Sequence, residues 1–225
     1  MNLPVEIHET FLDTLSGDKT ILEFEEWLYT DKTLEFLLTG DDYLELISFG
    51  YKALNPKYDL FEILKKHVDL GELEKRRIKK LLVKVLNKDE ELSDVLIIFY
   101  DLYCDGYGFL QNLGLNYGLT IECPFPKADT WDELSIDEHQ ELLNSFYPEI
   151  EEEVKKVIFW LDNDIVILTG IKQENNHFVY TDRRTEEERK WTAYKKSTSE
   201  DQPTISKKSH SDNNLKRRWW KFWDK

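Results

Sequence analysis

The sequence predicts an α+β fold that is mostly α-helical, with a helical N-terminal two-thirds and a small β-hairpin or sheet toward the C-terminus. Three observations carry this. Apolar residues recur at three- and four-residue spacing behind helix-capping residues through most of the chain. Two short apolar runs, Ile165–Leu168 and Phe178–Tyr180, flank the turn signal Asn175-Asn176. From Tyr194 the composition becomes polar and then basic, which ends the foldable part.

In chain order, Thr20 caps a helix carrying Ile21, Leu22, Phe24, Trp27 and Leu28, with Glu23 at the capping-box position. Thr33 to Leu38 and Asp41 to Tyr51 read as two short helices separated at Gly40, with Asp42 and Glu45 repeating the capping spacing. Pro56 restarts the chain, and Tyr58 to Val68 is amphipathic. The clearest helix is Leu70 to Leu86. Its Leu70, Leu73, Ile78, Leu81, Leu82 and Val85 share a face, while Lys75, Arg76, Lys79, Lys80 and Lys84 lie largely on the others. Leu92 to Tyr103 continues as a more buried helix. Gly106, Gly108, Gly114 and Gly118 then mark a loop, and Leu119–Cys123 alternates like a strand that Pro124 and Pro126 end. Ile136 to Phe146 is a helix, and Pro148 opens another that runs to Leu161. A lone hairpin needs cover, and the Leu119–Cys123 strand and its neighbouring helices are the expected source.

This gives one acidic globular domain over residues 1–193, a disordered polar linker over 194–214 and a basic, Trp-rich tail over 215–225. The whole chain holds 30 Lys+Arg against 45 Asp+Glu. Lys190–Lys225 holds 10 basic and 4 acidic residues, and residues 1–189 hold 20 basic and 41 acidic, a net of −21. Such a body repels nucleic-acid phosphates and attracts basic proteins, whose association its field would speed. Plain solubility is the competing explanation.

Cys104 and Cys123 are the only cysteines and are expected as buried free thiols in a reducing cytosol. The N-terminus lacks the pattern of a signal peptide, and no apolar run approaches the ~20 residues of a membrane span, so a cytoplasmic location is expected.

No enzyme motif stands out. His8, His67, His139, His177 and His210 show no metal-ligand spacing, and no metal or cofactor is expected. The glycine cluster fits neither phosphate-loop pattern, and no nucleophile elbow is present. Acidic clusters sit at helix starts, where carboxylates favour the helix dipole. The segment Tyr100–Tyr107 alternates aromatics with carboxylates, a composition suited to a protein interface. Glu25, Asp41, Asp42, Asp101, Tyr103, Asp105 and Tyr107 are therefore candidate partner contacts. Trp27 and Tyr43 fit core positions better, on helical spacing.

In the tail, Leu215, Trp219, Phe222 and Trp223 fall on one side of a helical projection, Arg217, Arg218 and Lys221 on the other, with Trp220 between. Arg217, Arg218, Trp219, Trp220, Phe222 and Trp223 suit an anionic membrane surface or a protein groove. A segment that folds back onto the acidic body has the same composition. RNA contact through Arg and Trp is opposed by the body's charge.

The runs Phe24–Tyr29, Tyr43–Phe49 and Tyr100–Tyr107, with Leu113-Gly114, together resemble small cytoplasmic proteins found beside bacterial polymorphic toxins, the immunity proteins. The resemblance spans roughly residues 20–185. It implies a non-enzymatic protein that covers the active surface of a basic toxin domain. The basic tail departs from that pattern and suggests the alternative, a membrane-recruited adaptor.

Overall fold

A computed structural model describes residues 3–193, so the expected linker and the tail with Arg217, Arg218, Trp219, Trp220, Phe222 and Trp223 lie outside the described residues. The architecture is helical with one C-terminal hairpin. Helix α1 (Val5–Ser16) closes on Gly17 in the left-handed conformation. It is followed by α2 (Ile21–Thr30), α3 (Leu34–Leu37), α4 (Gly40–Ile47) and α5 (Pro56–Leu64). The long α6 (Leu70–Leu86) and α7 (Leu92–Cys104) come next, then α8 (Gln111–Leu113), a π-helical turn (Gly114–Gly118), α9 (Leu119–Glu122), α10 (Ile136–Ser145) and α11 (Glu149–Asp162). Strands β1 (Val166–Lys172) and β2 (Phe178–Asp182) pair antiparallel, with Val166 opposite Asp182 and Leu168 opposite Tyr180.

The Thr20/Glu23 capping box forms as expected, and Ser135/Glu138 makes a second. At α4 the cap is Thr39, whose hydroxyl accepts from the Asp42 amide at 3.2 Å, and Gly40 opens the helix instead of breaking it.

Three expectations are corrected. Leu119–Cys123 is not a strand. The buried positions Leu113, Gly114, Tyr117, Gly118 and Ile121 recur at helical spacing, and the whole 111–122 run is helical. The glycines at 114 and 118 are not loop residues either. They let this run approach α7, and a Cβ on Gly118 would sit 2.3 Å from the Leu96 carbonyl oxygen. The packing is antiparallel, with Gly114 opposite Phe99–Tyr103 and Gly118 opposite Leu96–Tyr100. It carries Cys104 and Cys123 toward opposite ends, and both are exposed free thiols, not buried ones.

The core falls into two clusters that meet along α6. Phe11, Phe24, Leu28, Leu46, Leu64 and Leu73 belong to the first, where Phe11 packs edge-on against Phe24 and Trp27. Ile78, Leu82, Phe99, Tyr117, Val154 and Leu168 belong to the second. The hairpin is covered from that second cluster. Tyr107 stacks on Phe178 with centroids 4.4 Å apart, and α6 backs onto β1. At this seam Gly71 and Gly170 face opposite backbones, and the register of the hairpin shifts between Leu168 and Lys172.

Candidate partner-binding surface

Charge in this protein is sorted by element. Helix α6 carries six basic residues, and each is paired within the molecule. Arg76 binds Glu9, Asp13 at 2.9 Å and Glu72 at 3.4 Å, and Arg77 binds Glu74 at 3.1 Å. Lys75 meets Asp164, Lys79 meets Asp162 at 2.6 Å, Lys80 meets Asp18 at 2.7 Å and Lys84 meets Glu91 at 2.7 Å. The more exposed of these pairs are each worth only ~0–1 kcal/mol. Their larger consequence is that the bases of α6 are engaged by carboxylates of α1, α11 and the α6–α7 turn, so acidic residues outnumber basic ones elsewhere.

Two stretches hold that excess. Residues 21–45 contain eight acidic residues and one basic, and residues 122–141 contain seven and one. Large apolar side chains stand exposed in both: Leu22, Tyr29, Phe36 and Leu44 in the first, Phe125 and Ile136 in the second.

The 122–141 face has the more defined build. Ser135 caps α10 and places Ile136, 78% exposed, on its first turn beside Asp137 and Glu138. The His139 ring stacks on Trp131 at 3.9 Å, and its Nε2 meets the Trp131 carbonyl at 2.8 Å, which fixes the approach to that helix. Glu133 accepts from the Asp129 amide at 3.0 Å, and Lys127 pairs with Glu141 at 2.7 Å. Glu122, Asp129, Asp132 and Asp137 are exposed along the same segment, as are Phe125 and Ile136. Such a face suits lysines and arginines flanking an apolar contact.

The residues singled out from sequence divide. Glu25 is half-buried on α2. Burial first, then Tyr29 and Glu25, push the Tyr51 phenol up. Asp41 is exposed on the first turn of α4. Asp42 is already engaged, since it bonds the Thr39 hydroxyl at 2.7 Å and pairs with Lys66 at 3.5 Å. The Thr39 hydroxyl is the main cause that holds the Asp42 carboxyl low. Asp101 and Tyr103 are half-buried along α7, Tyr103 with its Cβ against Gly114.

Asp105 is engaged within the fold, and Tyr107 is corrected as a contact. The Asp105 carboxylate binds Lys172 at 2.6 Å, and its carbonyl accepts from the Phe178 amide at 2.8 Å. Tyr107 is fully buried between Phe178, Phe109 and Tyr180, so it offers a partner no surface. Its hydroxyl is buried without a hydrogen-bond partner. Removing an unsatisfied buried hydroxyl removes a desolvation cost, so Tyr107→Phe is expected to leave stability unchanged or raise it by about 1 kcal/mol. Urea unfolding measures this. A loss above about 1 kcal/mol would show that the hydroxyl is bonded.

The face over 122–141 does not stand out in the sequence as a unit, because residues 127–135 are mostly polar and carry no periodic apolar pattern. The available signal was Phe125 between two prolines, ahead of carboxylates at 129, 132, 133, 137 and 138. Among the described residues no three His, Cys, Asp or Glu side chains gather as a metal site requires, and no helix is long and apolar enough to cross a membrane.

Between α11 and the chain's last described turn lies an open cleft of about 500 Å³ floored by Phe159 and Trp160. Its lysines and glutamates pair among themselves: Lys155 with Glu152, Lys156 with Glu153, Lys190 with Glu187. It therefore lacks the unbalanced charge of the 122–141 face. No family model matches the chain, and neither a curated protein nor a solved structure is similar to it.

Proposed function

We propose that this chain is a non-enzymatic binding protein of the cytoplasm that takes a basic protein partner on the face formed by residues 122–141. One observation supports this above the others. The bases of α6 are all paired internally, whereas that face sets seven carboxylates against one lysine around exposed Phe125 and Ile136. An acidic rim steers a basic partner in, and the apolar groups at its centre give the complex its lifetime. Immunity proteins work in this way when they cover a basic toxin domain, and that is the reading we favour.

The test is calorimetric titration of the full chain with the toxin domain encoded beside its gene, at about 50 and about 300 mM NaCl. A one-to-one complex is expected in the calorimeter, and stopped-flow mixing should show association slowed at least ~10-fold at the higher salt. Co-expression should restore growth to cells making that toxin domain. Absence of a complex with every neighbouring toxin domain, together with failure to rescue growth, would overturn the proposal.

A further inference from the structure

We infer that the basic, Trp-rich segment 215–225 docks in cis on the 122–141 face and competes there with the basic partner. The inference rests on the reading of that face as the partner site, but the docking itself can be measured without any partner.

Where the described chain ends carries the argument. Thr192 is held on the helical run 111–122. Its amide donates to the Asn112 side chain at 3.3 Å, and its carbonyl accepts from the Asn116 side chain at 2.8 Å. The Trp191 indole N–H donates to Asn116 at 3.2 Å. Asn112 in turn donates to Glu153 at 3.0 Å. The chain therefore leaves from the run that ends in Glu122, the first carboxylate of the acidic face. Six helical residues separate Asn116 from Glu122, about 9 Å of axial rise. The 21 residues from 194 to 214 have the reach of a polar chain with a root-mean-square span of about 25 Å. That exceeds the rise to Glu122, where the face begins, and gives the tail an effective concentration there of the order of millimolar.

Charge and apolar content match as well. Segment 215–225 holds Lys216, Arg217, Arg218, Lys221 and Lys225 against a single Asp224, interleaved with Trp219, Trp220, Phe222 and Trp223. The face offers Glu122, Asp129, Asp132, Glu133 and Asp137 around Phe125 and Ile136. The 21–45 stretch is also acidic, but the chain does not leave beside it. The cleft over Phe159 and Trp160 adjoins the exit, but its Lys155, Lys156 and Lys190 are paired with Glu152, Glu153 and Glu187, so it offers the tail little net negative charge.

A fluorescein-labelled peptide of residues 215–225 tests this by anisotropy against full-length proteins. The wild type is compared with a variant whose tail is disabled by Arg217→Glu, Arg218→Glu, Trp219→Ala and Trp223→Ala. With its own tail disabled, the variant should bind the peptide at least ~10-fold more tightly than the wild type. Adding Asp132→Lys, Glu133→Lys and Asp137→Lys to that variant should abolish binding. Adding Glu25→Lys, Glu26→Lys and Asp41→Lys instead should leave most of it, with circular dichroism confirming that each variant folds.

Equal peptide binding by wild type and tail variant would overturn the inference. So would equal loss from both charge-reversal sets, which would mean diffuse attraction. A wild-type mass that doubles with concentration and falls back in the tail variant would assign the face to a second copy instead. Sedimentation of the wild type on anionic vesicles, with no peptide binding to the tail variant, would assign the tail to membranes. The peptide readout stands whether or not a toxin partner is found, so failure here and failure of the proposed function are distinguishable.

Discussion

Gly170→Ala is expected to destabilise the protein by about 3 kcal/mol. Two independent costs combine. Gly170 has φ +66°, in the left-handed region where a Cβ costs about 1–2 kcal/mol. The added Cβ would also lie 2.4 Å from the Leu70 carbonyl oxygen. That neighbour is backbone, so it cannot swing aside as a side chain would, and relief requires β1 and α6 to part at about 1–3 kcal/mol. Gly71→Ala probes the same seam from the other side, where the new Cβ would meet the Leu168 carbonyl oxygen at 2.1 Å. Asp69 caps this turn by accepting the Gly71 amide at 2.7 Å, so the helix start has little freedom to retreat. Urea midpoints at constant m-value measure both variants. A loss below about 1 kcal/mol for Gly170→Ala would show that the seam is softer than argued.

The second large effect is expected from Arg184→Ala. Arg184 is among the few buried charged residues, with its guanidinium bonded to Asp182 at 2.8 and 3.0 Å and lying 4.8 Å from the centre of the Trp160 ring. Truncation removes the cation–π contact and strands a partly buried carboxylate, a loss of about 3 kcal/mol at neutral pH. Arg189, 3.5 Å from Asp182, compensates only in part.

The loss depends on pH in a definite direction. Burial alone would raise the Asp182 carboxyl, but the side-chain and backbone bonds from Arg184 outweigh it and hold the group below its ordinary value. A depressed carboxyl stabilises the fold above its unfolded value near pH ~4, and that contribution disappears as pH falls through the folded value. The gap between wild type and Arg184→Ala should therefore be widest at pH 7 and narrow below pH ~4. A gap that stays constant from pH 7 to pH ~2.5 would assign the whole loss to Trp160 packing.

Much of the helical framework was legible because its signals are local. Leu70, Leu73, Ile78 and Leu82 mark α6 from end to end, and Thr20 with Glu23 announces the start of α2. The hairpin was legible from two apolar runs about a turn. The region 106–123 was not, because the alternation at 119–123 mimics a strand while two of the helically spaced positions over 113–121 are glycines, which carry no apolar signal.

The candidate site was less legible, for a different reason. Which carboxylates remain free depends on pairs far apart in sequence, such as Arg76 with Asp13 and Lys79 with Asp162. Asp105 and Tyr107 look like interface residues by composition. Only the return of β2 as a wall against them turns one into a tether and the other into core.

The sheet has a consequence for how any partner is captured. A two-stranded hairpin ordinarily presents two open edges, and an extended peptide can add to either as a further strand. Here the backbone of α6 lies against β1 at Leu168 and Gly170, and the Asp105 carbonyl takes up the first amide of β2. The shift of register after Leu168 interrupts what is left of the ladder. Strand addition is thereby disfavoured at both edges, and recognition falls to side chains presented by helices and their connecting turns.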